Sequence, residues 1–398
     1  MLHYLDTRHP TSGVTHDASR LSLYIHIPFC HLRCNFCNLH AYGMGEYASL
    51  PNLRADYAAA LVAEAEMWAA HMPGARVATV FFGGGTPTEL TADQLGAVLA
   101  AVRQNFNLSS DAEITVEGYP GLGAVTLARL REHGVTRMSF GVQSFEPSLA
   151  RLLEREHTPD EVARTVAEAQ ALGFAVALDF IYGLPTQTMA HWQATVEQAL
   201  SFAPDHLSLY ALSIEEATRL RALIKQGVLP APDGDLTADM YRWAQARLAE
   251  AGFQHYEISN WARPGHACRH NQVYWRNDPW LGLGAGAYGW YGGTRYTNIL
   301  APTHYVEAVQ AGRLPIGRRE PIDRQTEMNE TVMLGLRLRE GLDLGGFAQR
   351  YGVSFVELYG QSLPELIDWG LLTLDGNRLR LADAGLLISN EVLTRLLP

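Results

Sequence analysis

Leu21-Ser-Leu-Tyr-Ile-His-Ile27, followed at once by Pro28-Phe29-Cys30-His-Leu-Arg-Cys34-Asn-Phe-Cys37, decides how the rest of the chain is read. In the first stretch four aliphatic side chains alternate with Ser22, Tyr24 and His26, the period-two pattern of a strand with one apolar and one polar face. The second stretch places Cys30, Cys34 and Cys37 at CxxxCxxC spacing on the loop that leaves the strand. Three thiolates on one short loop can take three corners of a [4Fe-4S] cube, whose iron prefers soft sulfur ligands. Complete cysteine ligation takes four, so the last iron keeps an open position for a small chelating ligand. The alternatives are zinc or incidental thiols. Zinc takes a closed set of four ligands, and the only other cysteine is the distant Cys268.

Outward from this stretch the strand signal recurs. Val77–Phe82 enters Gly83-Gly84-Gly85-Thr86-Pro87; Ala112–Glu117, Arg137–Gln143, Phe174–Ile181 and His206–Leu212 follow. Helical periodicity fills the gaps over Leu53–His71, Ala92–Asn105, Ala124–His133, Pro159–Leu172 and Met189–Phe202. Such alternation predicts parallel βαβ units, with helices on the aliphatic face and the polar face lining an interior. Six units predict an α/β fold, a partial (β/α)6 TIM-like barrel, with function at the C-terminal ends of the strands. The barrel is expected over 21–236, after an N-terminal arm, 1–20. A helix over Thr237–Gly252 and an irregular aromatic stretch, Phe253–Tyr296, make a third segment, 237–311. The remainder, 312–398, reads as a small α+β domain. It has helices near Glu327–Arg337, Leu344–Tyr351 and Phe355–Trp369, then a hairpin turning at Asp375-Gly376-Asn377 and a last helix, a winged-helix-like order.

The bulk composition narrows the partners. A net charge of −11 over 398 residues opposes non-specific nucleic-acid binding and a polybasic membrane anchor. Between Glu340 and Pro398 eight acidic residues face four arginines, which argues against a DNA-binding role for the last domain. Lys225 is the only lysine, so a Schiff-base mechanism would depend on it alone. No run of about 18 apolar residues could span a bilayer, and 1–20 lacks the apolar core of a secretion signal. Three of four cysteines crowded together suggest metal ligation in a reducing compartment, so a cytoplasmic location is expected.

On these residues the chain resembles the radical S-adenosylmethionine (SAM) superfamily over nearly its whole length. Tyr24-Ile-His-Ile-Pro-Phe-Cys30, Gly83-Gly-Gly-Thr-Pro-Thr88, Ser139-Phe-Gly-Val-Gln-Ser-Phe145 and Asp179-Phe-Ile-Tyr-Gly-Leu-Pro185 look like its coproporphyrinogen-dehydrogenase branch. The resemblance implies one [4Fe-4S] cluster on Cys30, Cys34 and Cys37. It implies SAM contacts at Tyr24, Phe36, Gly84, Gly85, Thr86, Glu117, Gln143, Arg155 and Asp179. Glycines without a Cβ allow close backbone approach to an ammonium group, carboxylates can accept from ribose or amine, and an arginine can clamp a carboxylate. Glu117-Gly118-Tyr119-Pro120 departs from the family, which more often has Ala or Cys and then Asn after the glutamate.

Two features separate the branches. The oxidases carry a further cysteine two residues past the triad, where this chain has Leu39. His270-Asn271-Gln272-Val273-Tyr274-Trp275 resembles the HNxxYW motif of HemW-type heme chaperones, and so implies heme at His270, Asn271, Tyr274 and Trp275. A neutral histidine is a good axial ligand, and aromatic rings can cover the macrocycle. His266 and Cys268 lie near enough in sequence to compete for iron, whereas His31 and His255 read as solvent or core histidines. The reading is therefore a heme chaperone that passes heme to an acceptor protein, with cluster and SAM gating the carrier and a homodimer as one allowed assembly. The alternative is an enzyme of the same scaffold, either a coproporphyrinogen III dehydrogenase or a heme-modifying enzyme. A purely structural iron–sulfur protein is the third reading.

Overall fold

The computed structural model describes residues 21–397; the expected arm, 1–20, lies outside them. Six strands run parallel in chain order: β1 (Leu21–Ile27), β2 (Arg76–Gly84), β3 (Asn107–Gly118), β4 (Arg137–Gln143), β5 (Ala175–Tyr182) and β6 (His206–Ala211). Helices α1 (Leu53–His71), α2 (Ala92–Asn105), α3 (Ala124–Glu132), α4 (Pro159–Ala171) and α5 (Met189–Ser201) connect them. Thr91, Thr158 and Thr188 start α2, α4 and α5 as capping boxes. Each hydroxyl accepts the backbone N–H three residues on, and Gln94, Glu161 or His191 reaches back. The aliphatic face of each strand (Leu23, Ile25, Val80, Phe82, Val116, Phe140, Leu178) is fully buried under these helices. The polar face turns inward, as alternation requires. Strand register sets Glu117, Ser139, Ala177 and His206 in one interior row, and Gly141, Asp179 and Ser208 in the next.

The stretch expected to be irregular, Phe253–Tyr296, is instead largely regular. After α6 (Gly234–Glu250), β7 (Gln254–Glu257) and β8 (Asn260–Ala262) extend the β6 edge antiparallel. Then α7 (Arg269–Trp275) leads to β9 (Trp280–Leu283), which pairs parallel with β1 as a seventh parallel strand. Strands β10 (Tyr288–Tyr291), β11 (Thr294–Asn298) and, after α8 (Pro302–Gln310), β12 (Ile316–Pro321) continue that edge antiparallel. The order is β12-β11-β10-β9-β1-β2-β3-β4-β5-β6-β8-β7, and among the described residues the two end strands do not pair with each other, so the partial barrel is open. These late strands are short, rich in glycine and aromatics, and lack alternation, which is why periodicity did not reveal them.

A single apolar core runs from Leu21 to Val309 and draws on both 21–236 and 237–311. Inside it, the Glu64 carboxylate of α1 accepts from Gly284 N (2.8 Å), Asn298 Nδ2 (2.7 Å) and Tyr305 Oη (2.6 Å), tying α1 to the exit of β9. A second core, Met328 to Leu396, holds the last domain together. Its first helix, α9 (Arg324–Gly335), docks on the barrel through Thr331 Oγ1, which accepts from Asn277 Nδ2 at 3.0 Å, and through the Arg295–Glu330 ion pair at 2.8 Å. The continuous helix expected over Phe355–Trp369 is two short ones, Phe355–Tyr359 and Leu363–Asp368. Gly360 separates them, its α-carbon so close to the Val356 carbonyl that a Cβ would stand 2.3 Å from that oxygen. The hairpin Leu372–Asp375 and Arg378–Leu381 forms as expected, with Leu342–Asp343 added as a third strand.

Candidate functional site

The cysteine loop is pinned at both ends. Phe29–Cys30 pairs in parallel with Tyr42–Gly43, Tyr42 N donates to Pro28 O at 2.7 Å, and Tyr47 Oη donates to Cys30 O at 3.3 Å. Within the loop Cys37 N donates to Cys34 O at 3.2 Å, a turn that brings the second and third thiols to one side. Cys30, Cys34 and Cys37 then face one cavity of about 540 Å³ at the C-terminal ends of the strands. Phe36, Gly84, Gly85, Thr86, Glu117, Gln143, Arg155 and Asp179 line the same cavity. Eight of the nine residues expected around SAM are thus gathered against the cysteines. Its volume lies in the range that small-molecule and cofactor sites occupy.

The local chemistry fits a cluster with a chelating ligand. Burial pushes the Cys30 thiol up to about 11, so it holds its proton until a metal displaces it. A Cβ on Gly85 would fall 2.9 Å from Cys30 Sγ and 2.6 Å from Phe29 O, so only glycine leaves that space open. Gly84, at φ +112°, would set a Cβ 2.5 Å from the His26 ring. Gly141 similarly clears room for the Gln143 amide and the Arg155 guanidinium, each within about 3 Å of where its Cβ would lie. Gln143 itself sits at φ 69°, a strained backbone position held where β4 ends. Glu117 accepts from Gly84 N at 3.3 Å, and Asp179 accepts from Ser139 Oγ at 3.1 Å. Burial, and then the neighbouring Asp179 charge, raise the Glu117 carboxyl to about 8. Burial raises Asp179 to about 6, against the opposing pull of Ser208, Ser139 and Arg155. Burial and mutual repulsion thus favour one proton shared by the two carboxyls over ionising both, a combination that can bind a cationic amine and a hydroxyl together.

Tyr24 differs from expectation. Its side chain lies on the interior face but below the cavity, where its hydroxyl meets His26 Nδ1 at 2.9 Å and its ring stacks on Phe81. It lines an enclosed chamber of about 210 Å³ inside the barrel, roofed by Glu117 and Asp179 and floored by α7. Glu113 anchors that helix by accepting Arg269 N at 3.2 Å and His270 N at 3.0 Å, a carboxylate placed at a helix N-terminus.

His270, read from the sequence as a heme-binding residue and a candidate iron ligand, is 1% exposed and points up into the chamber. Its Nδ1 lies 2.7 Å from Thr79 Oγ1, which donates onward to Ser22, and its Nε2 lies 2.8 Å from Tyr274 Oη. The ring stacks on Phe81 at 5.1 Å, and burial drops its pKa to about 3. The imidazole is neutral, as expected, but both nitrogens are engaged, so ligating iron would require surrendering one of these bonds. Tyr274, one turn later, shares this inward side; Asn271 and Tyr274 line both the chamber and an external cleft of about 610 Å³ between the barrel and the last domain, whereas Trp275 lines the cleft alone. Cys268 donates to Glu113 at 3.4 Å, and His266 faces Asp205 at 3.6 Å. His255 stacks on Trp261, while His31 is exposed.

Sequence reasoning did not single out Glu113, Arg137, Ser139, His206, Tyr210 or Glu257. Strand alternation put Ser139 on the interior face, and the same rule applied to Arg137, His206 and Tyr210 would have found them. Glu257 carried no such signal.

Comparison with known proteins adds two matching regions. The radical SAM superfamily model matches residues 24–199, and the HemN C-terminal domain model matches residues 322–388. The heme chaperone HemW of Mycobacterium tuberculosis is 38% identical over 94% of this chain and 94% of its own length. The heme chaperone HemW of Bacillus subtilis is 35% identical over 93% of this chain and 97% of its own. The coproporphyrinogen III oxidase HemN of Escherichia coli, a radical SAM enzyme, superimposes with a TM-score of 0.82 at 26% identity, covering 95% and 90% of the two chains. Among the described residues no helix is long and apolar enough to cross a membrane.

Proposed function

The chain belongs to the HemW family of radical SAM proteins, and from that premise we propose that it is a heme chaperone, binding heme and passing it to an acceptor protein. The observation that carries this reading is the near full-length likeness to proteins named heme chaperones, joined to a motif helix lodged between the cysteine cavity and an open cleft. In this reading Cys30, Cys34 and Cys37 hold one [4Fe-4S] cluster. Phe36, Gly84, Gly85, Thr86, Glu117, Gln143, Arg155 and Asp179 would cradle SAM, with Tyr24 bracing the floor beneath. When bound, the cluster supplies an iron with an open coordination position. The chain's own contribution is positioning. Gly84 and Gly85 admit the ligand's amine to the backbone, Asp179 offers it a negative charge, Arg155 clamps its carboxylate, and Glu117 donates or accepts according to its proton.

Helix α7 carries the heme-handling surface through Asn271, Tyr274 and Trp275. Because α7 forms the chamber floor, occupancy of the cavity above it can bias how heme is held below. A cytoplasmic location and a homodimer formed under control of the cavity complete the proposal, since unpaired thiols persist in a reducing compartment. The test is anaerobic reconstitution followed by two assays on one sample. Heme should bind saturably, and coproporphyrinogen with SAM and reductant should give no protoporphyrinogen. Robust turnover, or a reconstituted protein that takes up no heme, would overturn the reading.

A further inference from the structure

The cleft beside α7 brings an aromatic ring and an arginine together with few carboxylates. On the helix, His270 points into the barrel, Asn271 and Tyr274 border both the chamber and the cleft, and Trp275 faces the cleft. Opposite them stands Arg337, at the end of α9, with Ser389 and Asn390 beside it. The Arg337 guanidinium sits over the Trp275 ring at 5.8 Å and donates to Asn390 Oδ1 at 3.2 Å. Among the described residues no carboxylate pairs with it, although the site is partly buried and burial pulls its pKa below the ordinary arginine value. The only carboxyl lining the cleft, Glu257, is pushed up to about 7 by burial and accepts a hydrogen bond from Trp275. In a chain of net charge −11 the cleft thus offers an aromatic wall, a cation that no carboxylate pairs among the described residues, and a single carboxyl in its lining. Such a site suits a planar apolar ligand that carries carboxylates.

We propose that the tetrapyrrole docks in this cleft, flat against Trp275 with a propionate on Arg337, and that His270 serves as a plug of the barrel floor and not as the iron ligand. The proposal rests on the heme-chaperone reading and says where on the chain that reading is carried out. Tyr210 lines the cleft, the chamber and the cysteine cavity alike, so the docked ring would lie one side chain away from the SAM pocket.

The experiment titrates the reconstituted full chain with heme and with heme dimethyl ester, which has no free carboxylate. Wild type, Arg337→Gln, Trp275→Leu and His270→Gln are compared, and SAM binding by each variant reports an intact barrel. Wild type should prefer heme over its diester about tenfold or more, the worth of one charge-assisted hydrogen bond. Arg337→Gln should abolish that preference, Trp275→Leu should weaken both ligands alike, and His270→Gln should keep the Soret maximum. Equal affinity of wild type and Arg337→Gln for heme, with the preference retained, overturns the proposal. A His270→Gln protein that binds SAM normally but shows a displaced Soret band also overturns it. Failure of wild type to bind either ligand defeats the chaperone reading itself, a different outcome. Should Trp275→Leu fail to fold, the ester comparison on Arg337→Gln decides alone.

Discussion

Replacing Glu117 with glutamine should change how stability depends on pH, and the structure fixes both direction and window. The carboxyl lies between Gly84 N and the Asp179 charge, and its pKa moves from 4.5 to about 8. Because the folded value lies above the unfolded one, the folded chain holds an extra proton between pH 4.5 and 8. Stability carried by this group is present in full below pH 4.5 and is lost as pH rises through about 8. Water in the open cavity screens part of the effect, so the charged form costs roughly 3 kcal/mol at pH 7. Glutamine keeps the shape and removes the ionisation. Urea unfolding of the metal-free chain at pH 5, 6, 7 and 8 should therefore show variant and wild type alike at pH 5. The variant should then be increasingly the more stable of the two towards pH 8. Taking the difference cancels the other buried groups, including Asp179, whose own window closes near pH 6. Parallel pH profiles for the two proteins would refute the claim that Glu117 is buried against a like charge.

Two further outcomes follow from packing. Gly85→Ala should leave the fold intact but reduce iron and sulfide content after reconstitution by more than half, because its methyl would stand 2.9 Å from Cys30 Sγ; unchanged iron content would refute the crowding. Glu64→Ala should lower unfolding stability by about 3 kcal/mol, since it strands the Tyr305, Asn298 and Gly284 donors inside the core. A loss under 1 kcal/mol by denaturant titration would show that water replaces the carboxylate.

Much of the fold was legible because alternation is a local signal. Arg137–Gln143, Leu53–His71 and Ala92–Asn105 take the bounds their periodicity predicts. Trp280–Leu283 could not be found this way, since its pairing with β1 is set by contacts across more than 250 residues of sequence and not by its own pattern. The site divides along the same line. The cysteine spacing and the glycine run lie at successive strand ends, so sequence order alone gathers them. Tyr24 takes the interior face that alternation gives it but lines the chamber next to the cavity, because the stagger between strands, which sequence does not display, sets how deep each row lies. For α7, helical pitch sets His270 and Trp275 on different sides, yet which of them turns inward depends on Glu113, remote in the chain, accepting the first N–H groups of the helix.

The parallel pairing of β1 with β9 has a consequence for biosynthesis. The outer rim of Leu21–Ile27 acquires its hydrogen-bonding neighbour in Trp280–Leu283 only when that strand has been translated, so a ribosome-bound chain carries a margin of unpaired backbone N–H and C=O groups through most of elongation. A protein truncated before Trp280 would carry that margin permanently and should aggregate, even though every cysteine and glycine of the cavity is already present.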